Sequence, residues 1–218
     1  MKKLSKIYKE VLNEDLEYAH VTDAGPESDY FEIGAEINEG ANQVIVAYHG
    51  SPTKISKFSD NFVGGNDATD QEGPGIYFTT KIDEAMGYAK QGGYIYTVEL
   101  HPKNMLSDKM GQGFEHLKPA VTKLIKSSPN WKGLAMGYDD DVNEGLNELV
   151  YQFIGMGQSE KEVFVNLYHE VFKENAVLFV RGMVKLGYDA LYLPAKDEGG
   201  HIVVYNPKII KVLNQKQV

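Results

Sequence analysis

The sequence has no cysteine, which excludes disulfides, thiolate metal sites and a thiol nucleophile together. Arginine is nearly absent as well: Arg181 stands alone among 22 basic residues. Such a shortage would spare an arginine-modifying enzyme from modifying itself, and a lysine-biased genome would produce the same count. No run approaches the roughly 18 consecutive apolar residues that a membrane helix needs. Met1-Lys2-Lys3 is a basic start of the kind leaders have, but residues 4–15 interleave charged and apolar side chains. No secretory signal is therefore expected, and the cytoplasm is the expected compartment. A basic balance is also missing, since the formal net charge is −9. Binding through phosphate neutralisation needs the opposite sign, so a general nucleic-acid binder is disfavoured. The Gly-rich stretch 64–75 lacks the Gly-Lys-Ser/Thr ending of a phosphate-binding loop and the alternating acids of a calcium loop. His20, His101, His116 and His169 show no ligand spacing, so no metal is expected.

What is present fits one sizeable domain, or one domain with an insertion: 218 residues, 42% hydrophobic and 24% charged. Leu4, Ile7, Tyr8, Val11 and Leu12 recur at helical spacing and predict a helix over 3–14, followed by a polar, Gly-rich approach to residue 42. Residues 43–48 are β-branched and apolar and predict a buried strand that ends at His49-Gly50-Ser51-Pro52. A long loop over 52–73 is of a length usually reserved for function or disorder. A short strand over 75–79, a helix over 82–91 and a strand over 94–100 follow. Residues 104–175 read as mainly helical, with a capping box at Ser159–Glu162. A helix over 176–186 closed by Gly187, a strand over 188–193 and a last strand over 201–205 complete the chain. Strands thus bracket a helical middle. The expected fold is α+β, with an N-terminal helix and irregular approach over 1–42, and one catalytic domain over 43–218 that carries a helical insertion over about 104–175.

Four features bear chemistry. His49 stands at the end of a buried strand, and Gly50 after it lets a ligand approach main-chain N–H and C=O groups; a strand running into a turn with a solvated histidine reads the same. Tyr77 follows a Gly-rich loop in Gly73-Pro74-Gly75-Ile76-Tyr77-Phe78, and Tyr88 lies eleven residues on. The two rings can sandwich a flat ligand or simply pack in a core. Finally, Asp197 and Glu198 precede Gly199-Gly200-His201 at the mouth of the last strand, where carboxylates are either solvated or aimed into a site.

In order and spacing these segments resemble the His-Tyr-Glu ADP-ribosyltransferases: poly(ADP-ribose) polymerases, diphtheria-toxin-like toxins and related phage enzymes. His49-Gly50-Ser51 is similar to the family's His-Gly-Ser, Gly73 to Phe78 to its Gly-x-Gly-Ile-Tyr-Phe strand, and His201-Ile202-Val203-Val204-Tyr205-Asn206 to its last strand. Tyr88 falls on the second stacking tyrosine. The resemblance covers about 43–102 and 186–213. It implies a split antiparallel sheet with NAD as co-substrate in the cleft. Tyr77 and Tyr88 would stack on the nicotinamide, Gly50 would bond its carboxamide with Ser51 as helper, and His49 would bond the adenosine-side ribose. Transfer of single ADP-ribose units is the implied activity, and the acidic net charge favours a protein acceptor over a nucleic acid. The same pocket serves NAD glycohydrolysis, with water as acceptor. It also serves an inactive module that binds NAD or ADP-ribose, because the family's catalytic glutamate falls on His201, which supplies no anion. If the enzyme is active, Asp197 or Glu198 is expected to reach in from the loop, Glu198 being longer and nearer the strand.

Overall fold

The computed structural model describes residues 44–59, 63, 73–107, 110, 113–172, 175–193 and 200–218. The expected helix over 3–14, the approach to residue 42, and both Asp197 and Glu198 lie outside the described residues. Among the described residues there are seven strands: β1 (Ile45–Ser51), β2 (Ile76–Thr79), β3 (Tyr94–Leu100), β4 (Met105–Ser107), β5 (Ala190–Leu193), β6 (His201–Val204) and β7 (Ile210–Gln217). They form one sheet in the order β4-β5-β6-β2-β1-β3-β7. All pairs are antiparallel except β4–β5, so a parallel edge strand is added to the antiparallel core that the sequence predicts. Six α-helices among the described residues complete the α+β fold: α1 (Ile82–Ala89), α2 (Lys118–Ser127), α3 (Trp131–Ala135), α4 (Val142–Met156), α5 (Glu160–Leu167) and α6 (Ala176–Leu186). No described helix is long and apolar enough to cross a membrane.

Three boundaries differ from the sequence reading. β1 runs on through His49, Gly50 and Ser51, because Tyr96, Ile95 and Tyr94 of β3 pair with them in register. β4 interrupts the start of the expected helical stretch, and its three residues are too few to show a period. The last strand is β7, not β6. Its alternation is largely polar, and its place at the sheet edge beside β3 comes from main-chain pairing and from Lys211 Nζ on Glu99 Oε2 at 2.8 Å.

The caps follow their sequence signals. Asp141 Oδ1 accepts the amides of Asn143 and Glu144 at the start of α4. The Ser159 hydroxyl accepts the Glu162 amide at 3.2 Å, while Glu162 Oε2 accepts from Gln158, one residue before the cap. Gly187 closes α6 at φ 95°. A single apolar cluster joins the sheet (Ala47, Phe78, Val98, Leu191, Val203) to the helices (Val121, Phe153, Phe164, Phe179, Met183).

The sheet is split near its middle. β1 and β2 share one register pair, Tyr48 with Thr79. Beyond it, among the described residues, β2 pairs only with β6 and β1 only with β3. The β2-facing edge of His49, Gly50 and Ser51 is therefore released from the ladder.

Candidate active site

At the split, side chains replace ladder bonds. The His49 ring lies 2.7 Å from the Tyr77 carbonyl through Nδ1. A carbonyl only accepts, so Nδ1 carries the proton, and in the neutral ring Nε2 is left with a lone pair. Three aromatic rings surround the imidazole, with centroids at 5.3 Å (Phe58), 5.5 Å (Phe78) and 6.2 Å (Tyr96). Burial pushes the His49 pKa below the usual histidine range, against the opposing pull of the Tyr77 carbonyl. The loop after β1 is held by the Tyr96 hydroxyl, which accepts from the Ile55 amide at 2.5 Å. Ser51 is buried and donates its hydroxyl to the Thr53 carbonyl at 2.7 Å. Its hydroxyl shapes the turn beside Gly50.

Gly50 is required by packing. A Cβ there would stand 1.8 Å from the Ala85 carbonyl oxygen, and one at Gly93 would stand 1.8 Å from that of Ala89. Helix α1 is thus seated directly on the backbone of β1 and the start of β3, through Ala85 and Ala89, both fully buried. The freedom that glycine offers is used on one face by α1, while no described residue of β2 pairs with its strand edge.

The same seating fixes what α1 presents. Tyr88, next to Ala89, is 62% exposed. Glu84 is four residues before Tyr88, so the two share a helix face about 6 Å apart along the axis. Tyr77 is half-buried, and its hydroxyl donates to the Gly73 carbonyl at 2.5 Å. Gly75 permits β2 to lie against β6, since a Cβ there would be 2.2 Å from Val203 Cγ1.

His201 opens β6 opposite Thr79 of β2. The Gly200 amide donates to Thr80 Oγ1 at 2.9 Å, and the Thr80 amide to the Gly200 carbonyl at 3.0 Å, which fixes where β6 begins. The His201 side chain is not isolated. Its Nε2 meets Glu84 Oε1 at 2.5 Å, and Glu84 Oε2 accepts the Thr79 hydroxyl at 2.5 Å. Glu84 is the residue that the sequence reading missed. Its contact with His201 spans 117 positions, and in the sequence it reads only as a first-turn acid of a short helix. The structure brings His49, Gly50, Ser51 and Tyr77 to one split, with Tyr88 on the helix seated over it and His201 at the adjoining strand start. Among the described residues no group of three or more His, Cys, Asp or Glu gathers as metal ligands.

Residues 38–218 match the family model described as ADP-ribosyltransferase in polyvalent proteins. No curated protein matches the chain. Among solved structures the chain is similar to one described as the crystal structure of an anti-CRISPR protein. That likeness has 13% identity and a TM-score of 0.31, over 80% of this chain and 96% of the other, too loose to bear on fold or function.

Proposed function

The chain belongs to the ADP-ribosyltransferases of polyvalent proteins, and from that premise we propose that it cleaves NAD, releases nicotinamide and passes a single ADP-ribose unit to a protein acceptor. The observation that carries the reading is the divergence of β1 from β2 after Tyr48, so that no described residue of β2 pairs with Gly50. In this reading the Gly50 N–H and C=O take the carboxamide, and Ser51 supports that edge from the turn behind it. Tyr77 and Tyr88 hold the cationic nicotinamide ring by stacking and cation–π attraction. His49, neutral at pH 7 and protonated at Nδ1, accepts a hydroxyl of the adenosine-side ribose at Nε2. The acidic balance of the chain, net −9, favours a protein acceptor over a nucleic acid.

Incubation with labelled NAD and a cell lysate tests this directly. Free nicotinamide and label on protein are expected; label confined to nucleic acid would overturn the acceptor, and label only in free ADP-ribose would make water the acceptor. Calorimetric titration with NAD tests the pocket. Tyr77→Ala and Tyr88→Ala should each weaken binding by about two- to thirtyfold, the equivalent of about 0.5–2 kcal/mol per ring. Unchanged affinity in both variants would remove the ring sandwich.

A further inference from the structure

We propose that Glu84 of α1, held by His201 and Thr79, supplies the carboxylate of the transfer step. This rests on the reading of the split as an NAD cleft. Loss of nicotinamide breaks the bond between its ring nitrogen and ribose C1′. The bonding pair leaves with the ring, which becomes neutral, and positive charge passes to the ribose. The acceptor's lone pair then bonds C1′, and the acceptor's proton is released to the carboxylate and on to solvent. An oxocarbenium-like ribose is stabilised by a fixed anion close by, as in glycoside cleavage. The strand position expected to carry that anion holds His201, which has none to give.

Glu84 meets the requirement from the neighbouring element. Its carboxylate stands at the start of β6, 2.5 Å from His201 Nε2. The Thr79 hydroxyl holds its other oxygen, and the Lys81 amide donates to that hydroxyl at 3.1 Å. Both partners are themselves fixed: Thr79 is buried, and His201 follows the paired Gly200–Thr80 junction. The side chain of Glu84 is 25% exposed and that of His201 33%, so the pair is reachable rather than sealed. Each carboxylate oxygen retains acceptor capacity beyond the bond to His201 or Thr79. The helix face adds a second, independent placement. Glu84 lies one turn from Tyr88, and a ring stacked on Tyr88 would carry its ribose at about that spacing. His201 is then a positioning residue: its Nε2–H orients the carboxylate and leaves the negative charge in place. A bare helix-start ion pair would need neither the split nor Tyr88 on the same face.

Single-turnover nicotinamide release and NAD calorimetry on the full chain separate these roles. Glu84→Gln keeps the shape and one acceptor oxygen, puts a donating NH2 in place of the other, and removes the charge. It should lower release by at least a hundredfold and change NAD affinity less than threefold, with an unchanged melting curve. Glu84→Asp, charged but shorter, should retain part of the rate. Glu84→Gln combined with His201→Glu should recover release, since it returns a carboxylate to the same junction. Wild-type release in Glu84→Gln would overturn the assignment, as would loss of release confined to Glu198→Gln or Asp197→Asn; NAD cleavage itself would stand in both cases. A native chain that binds NAD without cleaving it would overturn the carboxylate role alone. A native chain that neither binds nor cleaves NAD would overturn the cleft reading with it.

Discussion

The imidazole of His49 is enclosed by Phe58, Phe78 and Tyr96 and donates from Nδ1 to the Tyr77 carbonyl. Burial lowers its pKa, and this has a sign that can be checked. The folded state resists protonation that the unfolded chain, near 6.5, accepts. Stability from this group is fully present above about pH 6.5 and is lost as the pH falls toward the depressed folded value. His49→Asn places an amide N–H at the Tyr77 carbonyl and cannot titrate. Urea melts at pH 7.5 and 5.5 should show the native chain losing more stability than His49→Asn over that interval; parallel losses would refute the assignment. In turnover, His49→Ala should lower nicotinamide release at low NAD about tenfold or more, because one lost hydrogen bond and a stranded ligand hydroxyl together exceed about 1.4 kcal/mol. His49, Gly50 and Tyr77 were legible because each sits within a contiguous segment whose pattern survives in the sequence. Glu84 was not, because its meaning lies in a contact with a residue 117 positions away, and no local pattern encodes that.

Helix α1 and the strands under it show what packing adds to the pattern. Its eight residues form a marginal helix in isolation. It is held because Ala85 and Ala89 rest against Gly50 and Gly93. Gly93→Ala would set a methyl 1.8 Å from the Ala89 carbonyl and 2.6 Å from that of Ser51. Backbone must move to admit it, at about 1–3 kcal/mol of stability, and the helix that moves carries Glu84 and Tyr88. Urea denaturation should record that loss, and NAD affinity should fall with it. Gly87→Ala, on the same helix with no described atom within 4 Å of the added methyl, should instead be neutral or add up to about 1 kcal/mol, since alanine is the better helix former. Equal effects at the two glycines would mean that α1 is not seated as described. The sequence pattern located α1 and β3 nearly to the residue. It failed for β7, where Ile210 to Gln217 carries mostly polar side chains on an edge strand, and for β4. Both are defined by main-chain pairing rather than by an apolar face.

At the scale of the whole molecule, the helical middle is joined to the catalytic sheet through one core. Phe179 of α6 stacks edge-on against Tyr168 and Phe172, and reaches Tyr205 beyond the end of β6 at 6.4 Å between centroids. The sequence separates these parts, because the stretch between β3 and β5 shows helical periodicity and the flanks show strands. Nothing in the periodicity says that both bury the same surface. The shared cluster predicts cooperative unfolding. The single tryptophan, Trp131, lies on α3 in the helical part and reports there by fluorescence. Nicotinamide release reports the split between β1 and β2. Across a urea titration the two signals should decay with one midpoint. Phe179→Ala removes a nearly fully buried ring and should destabilise by about 3–5 kcal/mol, moving both midpoints together. If fluorescence moves while activity holds its original midpoint, the helices fold as a separate body and the common core does not couple them. A common shift would mean that the site on β1, β2 and α1 draws part of its stability from residues far from the cleft. Core substitutions in the helical middle would then lower activity by unfolding the enzyme rather than by altering its chemistry.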